Sequence, residues 1–239
     1  MTSALQAIVF DFDGVIADSE PLHLRAFQKI LSEEGLELST RDYYQRYLGY
    51  DDAGLFRALA RDRAIAIDDG QVASLIARKA HVLQELLQDA RVLFPGAADF
   101  IRAAAAEVPI AIASGALRHE ILAILQSAGL DGLFTAVVAA GETGESKPSP
   151  APYLLAFERL QRHAPGRLDS RRCVAIEDSR WGLESARDAG LRCVAVATSY
   201  GREELSAAEL VVGSLGELTV PALDRLCAQP RESESTVGE

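Results

Sequence analysis

The stretch Ala7-Ile8-Val9-Phe10-Asp11-Phe12-Asp13-Gly14-Val15-Ile16-Ala17-Asp18-Ser19 decides the fold. Its apolar start reads as a short strand buried on both faces, as in a parallel sheet. The strand runs into two carboxylates at i and i+2, which share a face while the chain stays extended. Gly14 then lets the backbone turn. Asp11 can end the strand while Asp13 leans back over the same spot. Paired carboxylates at the carboxyl end of a strand are poor structural elements and good hard-cation or nucleophile sites. The plainer alternative is a strand followed by a solvated acidic turn.

Working outward, residues from Glu20 to about Arg91 carry only helical signals. Leu22, Ala26, Phe27, Ile30 and Leu31 make one helix face, stopped near Gly35. Thr40 to Leu48 and Asp51 to Arg63 read as two more short helices with Gly49 between them, and Asp68-Asp69-Gly70 opens a fourth. The stripe of that fourth helix is Val72, Leu75, Ile76, Lys79, Val82, Leu83 and Leu86. A lysine on an inward stripe needs an anion or a route to water; snorkelling at the stripe's edge is the other reading of Lys79.

After Phe94-Pro95-Gly96 the pattern changes to alternating strands and helices. Strands are predicted at Val108 to Ala113, Phe134 to Ala139, Cys173 to Ile176 and Cys193 to Val196. Helices are predicted through Leu117, Ile121, Leu122 and Leu125, over Pro152 to Arg162, and over Leu183 to Ala189. That alternation implies an α/β fold with a doubly wound parallel sheet and helices on both faces. The predicted organisation is an α/β core of residues 1–16 and 92–228, an inserted all-helical domain of residues 17–91, and a disordered polar tail of residues 229–239.

Composition narrows the function. The 239 residues are 49% hydrophobic and 25% charged, ordinary for a soluble globular protein. A net charge of −11 argues against nucleic acid or an anionic membrane as partner. No apolar run approaches the ~18–20 residues of a membrane span, and Met1 to Gln6 lacks the features of a secretion signal. Cys173, Cys193 and Cys227 lack metal-ligand spacing and cannot all pair, so they read as buried small hydrophobes in a cytoplasmic protein.

Three further stretches fall past predicted strands, where this fold binds ligands. Ala113-Ser114-Gly115 offers a hydroxyl and, if a helix opens at the glycine, backbone N–H groups for an anion; a mere N-cap at Ser114 is the alternative. Gly141-Glu142-Thr143-Gly144-Glu145-Ser146-Lys147-Pro148-Ser149-Pro150 carries a lysine in a loop stiffened by prolines. Ala175-Ile176-Glu177-Asp178-Ser179 is a strand that again ends on adjacent carboxylates. Asp11, Asp13, Glu177 and Asp178 would then converge at one edge of the sheet, where their mutual repulsion demands a cation. Mg2+ together with Lys147 would balance them, and such a set suits phosphoryl transfer.

Asp11-Phe12-Asp13-Gly14-Val15, Ser114, Lys147-Pro148 and Glu177-Asp178-Ser179, in that order, resemble the four motifs of the haloacid dehalogenase superfamily. The runs Asp18-Ser19-Glu20-Pro21-Leu22-His23 and Ile176-Glu177-Asp178-Ser179-x-x-Gly182-x-x-Ser185-Ala186 are similar to its β-phosphoglucomutase and phosphoglycolate-phosphatase-like branch, which carries a helical cap. The resemblance implies a strand order of five-four-one-two-three. It implies Asp11 as nucleophile and metal ligand, and Asp13 as general acid and base with its backbone carbonyl toward the metal. It further implies Asp178, with Glu177 in support, as Mg2+ ligands, and Ser114, Gly115 and Lys147 as holders of the transferring phosphoryl group. Lys79 and His23 match substrate-binding positions of the mutase branch.

Two departures stand out. The mutase branch carries an arginine in the segment corresponding to Gly49-Tyr50-Asp51-Asp52, where this chain is acidic and Arg57 is the nearest candidate. After Lys147-Pro148-Ser149-Pro150 the family usually has Asp, and this chain has Ala151. The expectation is therefore an Mg2+-dependent phosphatase of a small phosphorylated metabolite, such as a sugar phosphate, monomeric or weakly dimeric. A β-phosphoglucomutase-like isomerase is the alternative. A haloalkanoate dehalogenase is disfavoured, since that chemistry needs neither Asp13 nor a metal.

Overall fold

The computed structural model describes residues 3–48, 50–88 and 92–230. The chain divides into two compact units, Met1–Asp18 with Arg91–Glu239, and Ser19–Ala90. Of the tail expected to be disordered, residues 231–239 lie outside the described residues. No helix among the described residues is long and apolar enough to cross a membrane.

The larger unit holds one parallel sheet. Its strands are β1 (Ala7–Phe10), β2 (Ile110–Ala113), β3 (Ala136–Val138), β4 (Cys173–Glu177), β5 (Arg192–Val196) and β6 (Leu210–Val212). They lie in the order β3-β2-β1-β4-β5-β6. The expected five-strand order is present, and β6 extends it. Sequence reading missed β6 because Leu210 to Val212 is too short a run to show a period.

The alternating pleat sorts side chains by size. Ala7, Val9, Ala111, Ala113, Cys173, Ala175, Cys193 and Ala195 lie in one buried cluster with Tyr153, Ala156, Leu160, Leu183 and Ala186. These last come from α7 (Ala151–His163) and α8 (Arg180–Asp188), so the small residues let both helices sit close to the sheet. Larger residues such as Ile8, Phe10, Ile110, Ile112, Val174 and Ile176 alternate with them and are equally buried. Phe10 meets Phe100 of α5 (Ala97–Glu107) edge-on, with ring centroids 6.1 Å apart. All three cysteines are free and buried.

Two strands start later than the sequence suggests. Pro109 has no N–H to give a ladder, so β2 begins at Ile110 rather than Val108. Phe134 lies outside β3 and places its ring 6.0 Å from that of Phe10. α6 (Arg118–Ser127) follows β2, and α9 (Val220–Ala228) is the last helix among the described residues. α9 went unpredicted; its Thr219 cap accepts from the Ala222 N–H at 3.3 Å. Where the helical unit leaves and rejoins, Asp18 N–H donates to the Val92 carbonyl at 2.9 Å and Phe94 N–H to that of Ile16 at 3.0 Å.

Both outer strands have an outward carbonyl bound by arginine. On β3, the Val137 carbonyl accepts from Arg118 at 2.6 Å and from Arg159 at 2.5 Å. Glu142 lies 2.6 Å from Arg118 and 2.8 Å from Arg159 and steadies the pair. On β6, the Val211 carbonyl accepts from Arg202 at 2.7 Å.

The smaller unit is built from α1 (Glu20–Glu33), α2 (Thr40–Asp42), a wide π turn (Tyr43–Tyr47), α3 (Asp52–Asp62) and α4 (Asp69–Gln88). The expected single helix from Thr40 to Leu48 is thus split. The Leu48 N–H reaches back five residues to the Tyr43 carbonyl at 2.9 Å. The turn buries both Tyr43 and Tyr47, whose hydroxyls donate to Glu20 and Asp62. On α4 the buried stripe ends at Leu87 rather than at the expected Leu86, which is half-buried.

Phe10 is wholly buried between two rings. Phe10→Ala should lower the unfolding free energy by about 3–5 kcal/mol, read as a drop in urea midpoint at unchanged slope.

Candidate active site

Sheet register alone brings the two acidic strand ends together. β1 pairs with β4 so that Phe10 stands opposite Ile176, and the Asp11 N–H donates to the Ile176 carbonyl at 2.9 Å. The next residues along, Asp11, Glu177 and Asp178, offer carboxylate oxygens that all lie within 4.8 Å of one another. All three are buried.

Lys147 answers this charge. Its Nζ lies 2.7 Å from Asp11 Oδ1 and 2.5 Å from Glu177 Oε1, and 5.0 Å from the centroid of the Tyr153 ring. The Tyr153 hydroxyl donates to the same Glu177 oxygen at 2.8 Å. The other Glu177 oxygen accepts from the Asp178 N–H and the Ser179 hydroxyl, each at 3.2 Å. Glu177 is therefore fully engaged and fixed in place. Gly182 explains part of the fit, because a Cβ there would stand 1.9 Å from the Glu177 carboxyl carbon.

Gly14 does the same for Asp178. Its φ is +79°, and a Cβ would stand 1.9 Å from Asp178 Oδ2. Only glycine takes this turn and leaves room for the carboxylate.

The electrostatics follow from burial. Desolvation raises the Asp11 pKa well above the carboxylate range; Lys147 opposes that rise, and Glu177 and Asp178 add to it. Burial likewise lifts Asp178 to about 6, against a hydrogen bond from Ser199. Burial works to lower the Lys147 pKa, but the charges of Asp11 and Glu177 hold it above the usual value. Three carboxylates face one ammonium. The deficit of positive charge and the all-oxygen donor set fit a hard divalent ion.

The remaining expected residues divide. Asp13 is half-buried in the turn that bridges to Ala17 and adds no carboxylate oxygen to the cluster. Ser114 follows β2, the strand beside β1, and so reaches the same edge of the sheet. Its Oγ accepts from the Ala116 N–H at 3.0 Å, and α6 begins only at Arg118, capped from Leu117. The helix therefore does not open at Gly115, and Ser114 is not its N-cap. Ala151, the departure from the family pattern, starts α7 with no side-chain cap, and its N–H donates to Ser149 at 3.3 Å.

In the helical unit, His23 and Lys79 come together. Lys79 is 1% exposed, which rules out the snorkelling reading. Its ammonium donates to His23 Nδ1 and to Asp52 Oδ1, both at 2.9 Å, and sits 4.7 Å from the centroid of the Phe27 ring. The anion that Lys79 requires is thus Asp52 of the acidic segment. Asp51 is used differently, accepting from the Gly54 N–H at 2.7 Å as the cap of α3. Arg57, the candidate clamp, pairs with exposed Asp69 at 2.8 Å.

Tyr153 and Ser199 were missed by sequence reading. The one available signal was a tyrosine among the apolar positions of α7, whose buried hydroxyl must find a partner.

A family model described as haloacid dehalogenase-like hydrolase matches residues 5–190. The protein CbbY of Rhodobacter capsulatus is 33% identical over 93% of this chain and 99% of its own. The fructose-1-phosphate phosphatase YqaB of Escherichia coli is 28% identical over 79% of this chain and 95% of its own. A crystal structure of a CbbY variant from Rhodobacter sphaeroides in complex with xylulose-(1,5)bisphosphate is similar with a TM-score of 0.75 and 28% identity, over 92% of this chain and 99% of that one.

His23 gives this site a pH signature. Burial, then the Lys79 charge, push its pKa down to about 4, against about 6.5 in an unfolded chain. Between those values the unfolded chain holds a proton that the folded chain lacks. The stability His23 contributes is complete above that upper value and is lost as the pH falls toward the lower one. His23→Asn should flatten this part of the stability curve, as read by circular dichroism melts across the same window.

Proposed function

The chain belongs to the haloacid dehalogenase-like hydrolase family, and we propose that it is an Mg2+-dependent phosphatase of sugar phosphates that works through an aspartyl phosphate. The observation that carries this reading is the buried set of Asp11, Glu177 and Asp178 with Lys147 on two of them. Asp11 and Asp178 would hold Mg2+, with Glu177 in support and the Asp13 backbone carbonyl as a further oxygen. The bound ion supplies positive charge to the phosphoryl oxygens.

This chain's own groups carry the bond changes. The Asp11 carboxylate attacks phosphorus and forms an O–P bond as the bond from phosphorus to the sugar oxygen breaks. Asp13 gives its proton to that leaving oxygen. In the second half Asp13 takes a proton from water, whose oxygen bonds to phosphorus while the Asp11–phosphorus bond breaks, releasing inorganic phosphate. Lys147, 2.7 Å from Asp11, relieves the repulsion between nucleophile and phosphate. Ser114 and the Gly115 backbone would hold phosphoryl oxygens.

The substrate class is supported by the sugar phosphate named for YqaB and by the acidic segment of the helical unit. We assign Lys79 and His23 to substrate recognition. Lys79 is already matched by Asp52, so this cluster favours a neutral polyol end over a second phosphate. A mutase must hold a bisphosphate at both ends, which favours a bidentate arginine there.

Asp11→Asn should reduce turnover by a factor on the order of 10³ or more with the melting temperature kept or raised, because one repelling charge is gone. Turnover near wild type would refute the covalent route. EDTA should stop phosphate release, Mg2+ should restore it, and Ca2+ should inhibit through its looser coordination.

Hexose and pentose monophosphates should release phosphate faster than the corresponding bisphosphates. β-Glucose 1-phosphate with a bisphosphate primer should give little glucose 6-phosphate in a coupled assay. Glucose 6-phosphate formed much faster than phosphate would replace the hydrolase with the isomerase.

A further inference from the structure

One loop outside the four motif stretches touches two of them. After β5 the chain runs Ala197-Thr198-Ser199-Tyr200. The Thr198 hydroxyl donates to the carbonyl of Gly14, the residue after Asp13. Asp178 Oδ2 and Ser199 Oγ crowd one point, lying 1.9 and 2.9 Å from where a Cβ on Gly14 would stand, so the serine hydroxyl sits beside the carboxylate. Two consecutive hydroxyls therefore sit against the first and the last acidic motif, one bonded to Gly14 and the other beside Asp178 in the space that Gly14 leaves open. Tyr200 anchors the loop on α8, its ring centroid 6.0 Å from that of Trp181 in an edge-on contact. Arg180 lies 4.3 Å over the same indole.

We propose that Ser199 is a positioning residue for the metal, fixing the rotation of the Asp178 carboxylate so that it faces Asp11, while Thr198 fixes the turn that carries Asp13. The proposal rests on the Mg2+ reading of the site. A carboxylate turns freely about its last bond unless a donor holds one oxygen, and a donor on one oxygen leaves the other for the cation. Ser199 is itself exposed, so burial imposes no hydrogen bond on it. Its placement is explained by the group it holds.

The test is calorimetric titration of the full chain with Mg2+, which needs no substrate. Trp181 is the only tryptophan, and its fluorescence gives a second readout beside the loop. Ser199→Ala should weaken Mg2+ binding about 10–100-fold, with little change in the melting temperature of the metal-free protein. Ser199→Thr, which keeps a hydroxyl, should restore most of the affinity. At saturating Mg2+ the Ser199→Ala variant should recover its turnover. Binding by Ser199→Ala within about threefold of wild type, or no rescue by Ser199→Thr, overturns the proposal and leaves the phosphatase reading standing. A wild-type chain that binds no Mg2+ overturns both.

Discussion

Like charges packed at the end of a parallel sheet are the constraint on which this structure turns. Asp11, Glu177 and Asp178 come within 4.8 Å of one another because β1 and β4 are neighbours in register, and no local choice of side-chain rotamer creates that proximity. In a region shielded from water their repulsion is strong. The answer is distributed over the fold: Lys147 arrives from the loop after β3, Tyr153 from α7, and backbone N–H and hydroxyl donors from the start of α8. Two glycines clear the space that these carboxylates fill.

The helical unit repeats the theme with different residues. Asp52, Lys79 and His23 form a polar cluster of a kind that apolar side chains of equal volume often match in stability. Removing Asp52 or Lys79 alone would leave the other's charge without its partner. The cluster neutralises the carboxylate of Asp52 inside the helical unit.

Much of the core was legible because its signals are local and redundant. Each acidic motif follows an apolar run of strand length, and each is followed by a small residue that permits a turn, so Asp11, Lys147, Glu177 and Asp178 could be named before their meeting was seen. β6 was illegible because three residues cannot display a period. The π turn was missed because a five-residue step leaves a nearly helical pattern. The opening of α6 was placed too early because Gly115 resembles a helix start, whereas the chain runs on to Leu117 before winding. Lys79 showed a need without showing its partner: Asp52 lies far from it in sequence, and only tertiary packing brings the two together. Ser199 had no signal, since a single serine after a strand is commonplace.

The arginines on β3 and β6 bear on how the molecule behaves in company. A sheet that does not close into a barrel ends in two rows of backbone groups able to accept a strand from another chain. At Val137 and Val211 the outward carbonyl is already taken by a guanidinium. An incoming strand would have to evict a charged, hydrogen-bonded group before its own N–H could dock. The two rims of the sheet thus carry a barrier to fibre-like growth, built from the helices and loops that flank them.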